Sequence, residues 1–113
     1  MAFFKIDNVN IAGIAACVPP KMVENIDSDL IADKEELRKY IETTGVQRRY
    51  IAEYGVCSSD LCLCAAEKLI AELGWDKSEI EAVIFVSQTA DYVLPATACL
   101  LQDRLGLPKE CYA

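Results

Sequence analysis

Ala82-Val83-Ile84-Phe85-Val86 is an unbroken apolar run, and Ser87-Gln88-Thr89 follows it at once. Apolar residues without polar alternation fit a parallel strand covered on both faces, and the abrupt polar edge marks the strand's carboxyl end. Reading outward decides the class. Upstream, Asp76-Lys77-Ser78-Glu79 has the form of a capping box leading into the strand. Before it, Cys62, Ala65, Ala66, Leu69, Ile70 and Leu73 recur at helical spacing, with Ser58 or Ser59 as cap and Gly74 as stop. Downstream, Pro95 suits the first position of a helix that turns Ala98, Leu101 and Leu105 inward and ends at Gly106. Cys111-Tyr112-Ala113 then reads as the start of another strand. Helix, strand, helix, strand is an α/β order with right-handed crossovers, a mixed sheet with helices on its faces.

The first half adds three elements. Residues 9–18 are rich in Ile, Val and Ala and are stopped by Pro19-Pro20, which reads as a strand running into a turn. Residues 33–44 place Leu37, Tyr40, Ile41 and Thr44 at helical spacing, with Gly45 as the stop. Residues 48–52 read as a short extended stretch. No repeat, linker or low-complexity tract interrupts residues 1–113, so one continuous domain is expected.

Composition narrows the function. The chain has 113 residues, 53% hydrophobic and 26% charged, which is enough apolar material for a core and excludes a disordered tail. A net charge of −7 argues against nucleic acid or an anionic membrane surface as a partner. The chain contains no histidine, so a histidine base, a catalytic triad and a His-ligated metal are excluded within these residues. No secretory or membrane-spanning stretch is legible, and a cytoplasmic location is expected. The six cysteines would suit a secreted disulfide scaffold, but the apolar composition favours reduced thiols. Cys62 and Cys64 stand two apart on a helix and point about 200° apart, badly placed to share a tetrahedral ion. All six are therefore read as small buried side chains, with no metal and no unusual reactivity expected.

In α/β sheets, ligands bind beyond the carboxyl ends of the strands. Gln88 and Thr89 occupy such an end. Two readings stand for them: a ligand-facing edge, or a loop chosen for solubility.

Several stretches carry a resemblance. Gly13, Val18-Pro19 and Asn25 are similar to the first strand and following turn of the ketoacyl-acyl-carrier-protein synthase III family, condensing enzymes of the thiolase fold. Thr44-Gly45-Val46 with Arg48-Arg49 and Ile51 resembles that family's threonine-glycine-isoleucine signature. Ala65-Ala66 through Leu73-Gly74, then Ile80 to Thr89, resembles its helix and polar-ended strand. Leu94-Pro95-Ala96-Thr97-Ala98 through Leu105-Gly106 is similar to the segment preceding the active-site strand. The order and spacing of these stretches are specific, although no single one is decisive.

The resemblance implies an incomplete N-terminal part of a thiolase-like fold, ending before the nucleophile. It implies a decarboxylative Claisen condensation of an acyl thioester with malonyl on acyl carrier protein, a transferase reaction of fatty acid or related acyl-chain biosynthesis. Coenzyme A or acyl carrier protein thioesters would be substrates, with no separate cofactor, and the whole enzyme would be a homodimer. No catalytic residue is expected among these positions, and Cys111, at the start of its strand, is taken as structural. Gln88 and Thr89 would lie beside the acyl pocket. Leu94 would bound the partner's acyl pocket or simply pack. The region 37–43 lacks the tryptophan that coenzyme A-using members carry there to stack on adenine. Tyr40 offers either a stacking surface or a core residue.

Two other functions compete. One is a stand-alone thiolase-like binding or dimerisation module without catalysis. The other is a thiol-redox or metal protein, which the lack of a Cys-x-x-Cys pair and of histidine weakens. The uncovered faces expected of Ala82 to Val86 imply that the isolated chain associates or else stays partly disordered.

Overall fold

The structure, a computed structural model, describes residues 5–113. The chain divides into two compact units. One is continuous, Val18–Cys57; the other joins the segment up to Cys17 to Ser58–Ala113.

The continuous unit holds β1 (Lys21–Glu24), α1 (Lys34–Thr44) and β2 (Arg48–Ile51). β1 and β2 pair antiparallel, with Lys21 opposite Ile51 and Glu24 opposite Arg48. The strand of this region thus follows Pro19-Pro20 rather than preceding it. Residues 9–18 were expected to be a strand but are not one, because an extended run becomes a strand only when its backbone groups find a ladder. Among the described residues theirs find none. Asn25 fastens the end of β1. Its N–H donates to Gln47 O at 2.8 Å, its Nδ2 donates to Val46 O at 2.8 Å, and its Oδ1 accepts from Arg49 Nη1.

α1 ends where its sequence says it should. Asp33 is the N-cap, its carboxylate accepting from Glu35 N at 2.8 Å and Glu36 N at 3.4 Å. Gly45 closes the helix at φ 71°, a left-handed position that a Cβ would penalise. Leu37 is the buried anchor of this helix.

The second unit is built on α2 (Ser58–Leu73) and α3 (Thr97–Leu105). Ser58 and Ser59 are the first two helical residues rather than the cap. α3 begins two residues after Pro95, with Ala96 as N-cap, so the proline precedes the helix instead of opening it. Between the helices, Asp76 accepts from Ser78 N at 2.9 Å, and that backbone donor holds its carboxyl below the usual range. The capping motif yields only a single 3-10 turn, Lys77–Glu79.

Leu105, Leu107 and Cys111 form the core of this unit, and Leu63, Ala66, Ile70, Ile80 and Val83 pack against it. The apolar run meets the last residues in parallel: Val83 N donates to Tyr112 O at 2.7 Å and Tyr112 N to Glu81 O at 2.9 Å. Only this isolated bridge forms, so residues 82–86 and 111–113, expected as strands, are not strands here; the direction is the parallel one expected, but the cover is one-sided. Val83 and Phe85 are half-buried, whereas Ile84 is 86% and Val86 89% exposed. One face packs on the helices, and no other described segment lies on the second.

The cysteines correct the sequence reading. Cys111 is buried in the core, as expected of a structural residue, and Cys17 is intermediate. Cys57, Cys62, Cys64 and Cys99 are exposed. α2 carries apolar side chains over more of its circumference than its neighbours cover, so composition alone overstates burial there.

Candidate functional site

The polar edge after the apolar run is tied to the start of α2. Ser58 Oγ and Thr89 Oγ1 lie 2.9 Å apart, and Ser87 Oγ lies 3.1 Å from the same Thr89 hydroxyl. The Thr89 N–H donates to Ser87 Oγ at 2.9 Å. Two residues on, Asp91 Oδ2 accepts from Ser59 Oγ. Ser59 is fully buried and also accepts from Arg104 Nη1 at 3.4 Å, while Arg104 Nη2 pairs with Asp60 at 2.7 Å. The Asp91 N–H donates to Thr97 Oγ1 at 3.3 Å. The loop is thus pinned to α2 and α3 by side chains from both helices.

Of the residues singled out from sequence, Thr89 belongs to this network. Gln88 is exposed beside it and makes no hydrogen bond among the described residues. Leu94 lies beyond the Asp91 anchor, 83% exposed and flanked by exposed Tyr92 and Val93. Ser59, Asp91, Thr97 and Arg104 are the members that sequence reasoning missed. Asp91 carries a structural signal of tension: its Oδ1 is buried without a hydrogen-bond partner among the described residues.

This arrangement holds a loop in place. Histidine is absent from the sequence, and among the described residues no group of three or more Cys, Asp or Glu side chains converges as metal ligands.

The continuous unit has a separate concavity of about 310 Å³, lined by Asn25, Ser28, Leu37, Tyr40, Thr44 and Arg49 among others. Tyr40 is exposed on this wall, which overturns its reading as a core residue.

No protein-family model matches the chain. Individual relatives do. A beta-ketoacyl-acyl-carrier-protein synthase III of Koribacter versatilis is 33% identical over 103 residues, which is 91% of this chain and 31% of that protein. One of Desulfitobacterium hafniense is 35% identical over 102 residues, 90% of this chain and 30% of that protein. Among solved structures, a 3-oxoacyl-(acyl-carrier protein) synthase from Burkholderia xenovorans superposes with a TM-score of 0.79 at 45% identity, covering 88% of this chain and 30% of that one. Over most of its length the chain is similar to ketoacyl synthase III enzymes.

Its fold is an incomplete thiolase-type α/β arrangement. The ketoacyl synthase III-like segment spans about a third of the length of the curated relatives it matches. Among its described residues no helix is long and apolar enough to cross a membrane.

Proposed function

We propose that the chain is part of a condensing enzyme joining an acyl thioester to malonyl carried on acyl carrier protein, with decarboxylation. The supporting observation is the pinned loop. Ser58 and Ser59 of α2 hold Thr89 and Asp91, so the loop that carries Gln88, Thr89 and Leu94 is fixed at the end of the apolar run; α/β sheets bind ligands beyond such ends. In this reading Gln88 and Thr89 border the acyl pocket, Leu94 closes it across a homodimer, and the nucleophile comes from residues beyond these. Acyl carrier protein would dock on basic surface elsewhere, since this segment carries a net charge of −7. The location would be the cytoplasm. Coenzyme A or acyl carrier protein thioesters serve as substrates, and no further cofactor is needed.

The test is a condensation assay with malonyl-acyl carrier protein and an acyl thioester, run on these 113 residues and on the longest protein their gene encodes. Carbon–carbon bond formation is expected only from the longer protein. Product from the 113 residues alone would overturn the assignment of no catalytic residue here, and no product from either would overturn the reading. The competing reading, a binding or dimerisation module, draws on the exposed Tyr92-Val93-Leu94. It would be favoured by a longer protein that dimerises but never condenses.

Two substitutions in the longer protein probe the substrate contacts. Leu94→Ala should enlarge the acyl pocket and shift kcat/KM toward longer primers by about tenfold. Competition between short and long acyl thioesters measures it, and an unchanged preference would mean that Leu94 only packs. Tyr40→Ala removes the aromatic surface beside the Arg49 cavity. It should raise KM for a coenzyme A-linked primer by about tenfold while sparing kcat and KM for the acyl carrier protein substrate. An equal loss toward both substrates would make Tyr40 a structural residue.

A further inference from the structure

The loop that carries Gln88, Thr89 and Leu94 is held at Asp91 from two sides. The Asp91 carboxylate accepts from the Ser59 hydroxyl, and its N–H donates to Thr97 Oγ1 at 3.3 Å. Both partners are buried helix residues, so neither can follow the loop if it moves. Behind Ser59 stands Arg104. Its Nη1 donates to Ser59 Oγ at 3.4 Å, while its Nη2 holds Asp60 at 2.7 Å. A serine hydroxyl has one hydrogen to give. With the guanidinium donating into its oxygen, that hydrogen is left for Asp91, and the cation strengthens a bond that it does not itself make.

Asp91 weakens the fold it sits in. Its Oδ1 is buried without a partner among the described residues, which lowers stability. A sequence keeps such a group where position matters more than stability. What Asp91 positions lies beside it in the chain: Gln88 precedes it by three residues and Leu94 follows it by three. Tyr92, Val93 and Leu94 are exposed and make no hydrogen bond among the described residues. Asp91 and the start of α3 are therefore the two points from which they hang.

We propose that Asp91, oriented by Ser59 and Arg104, is a positioning residue for the loop 87–95 and sets, through Leu94, the length of acyl primer that is admitted. The inference rests on the condensing reading. Asp91 itself touches no substrate, because its spare oxygen is buried. A fixed Leu94 turns away a primer that is too long, whereas a Leu94 on a loosened loop yields to it. The malonyl step is left alone.

The test is made in the longer protein with Ser59→Ala and with Arg104→Gln, the second a change at an exposed position that keeps the fold should the first not. Deuterium exchange over 87–95 should quicken about tenfold in Ser59→Ala, with α1 in the other unit unchanged. In competition between a short acyl thioester and one two carbons longer, the preference in kcat/KM should shrink about tenfold for Ser59→Ala and about threefold for Arg104→Gln. KM for malonyl-acyl carrier protein should stay as it was. In a Leu94→Ala background, Ser59→Ala should alter the preference no further, since the effect runs through that side chain. An equal loss toward every primer, or unchanged exchange over 87–95, would overturn the positioning role while the condensing reading stands. No product from the unsubstituted longer protein would overturn the condensing reading and this inference with it.

Discussion

Leu105→Ala is expected to lower the stability of the chain by about 3 kcal/mol. Leu105 is 4% exposed and sits at the centre of the core with Leu107 and Cys111, under Leu63, Ala66 and Ile70 of α2. Removing most of its side chain forfeits its transfer from water. It also opens a cavity, because α2 and α3 are tied elsewhere by the Arg104–Asp60 pair and cannot close freely on the space. Leu105→Met, which keeps the volume, should lose less than about 1.5 kcal/mol. Urea unfolding of the two variants measures the difference. A loss below about 1 kcal/mol for the alanine would mean that α3 is not anchored through this residue.

Ser59→Ala should destabilise by about 2 kcal/mol, although it removes a single oxygen. The Ser59 hydroxyl donates to Asp91 Oδ2, and Asp91 Oδ1 already lacks a partner. The substitution leaves both carboxylate oxygens unpaired in a half-buried site, and that desolvation outweighs the loss of one ordinary hydrogen bond. Adding Asp91→Ala removes the stranded group, so the double variant should lose less than the sum of the single ones. Strict additivity in the unfolding energies would show that the two side chains do not act together.

The legible parts of the fold were those with local signatures. Asp33 and Gly45 bracket α1 because a carboxylate cap and a left-handed glycine act within a turn of themselves. Gly106 ends α3 in the same way. The run Ala82 to Val86 was read only in part: its direction is parallel, but it makes a single bridge at Ala82 rather than a strand, and the described residues cover one of the two faces that the pattern implied. β1 could not be read: Lys21-Met22-Val23-Glu24 is short and charged, and becomes a strand only by meeting Arg48–Ile51. The site divides along the same line. Thr89 was visible as the polar end of an apolar run. Ser59, Asp91 and Arg104 were not, since the bonds joining them span 32 and 45 residues and leave no spacing to recognise.

The discontinuous make-up of the second unit bears on how the chain is born. Residues 18–57 are contiguous and can close on themselves as soon as they leave the ribosome. Gly13 cannot, because Leu69 and Leu73, against which it packs, are synthesised roughly 60 residues later, a delay of several seconds at ordinary elongation rates. Through that interval Ala15 and Cys17, half-buried in the finished structure, have nothing to seat their segment. The nascent chain therefore offers the segment around Gly13, rather than residues 18–57, to chaperones and proteases for longer.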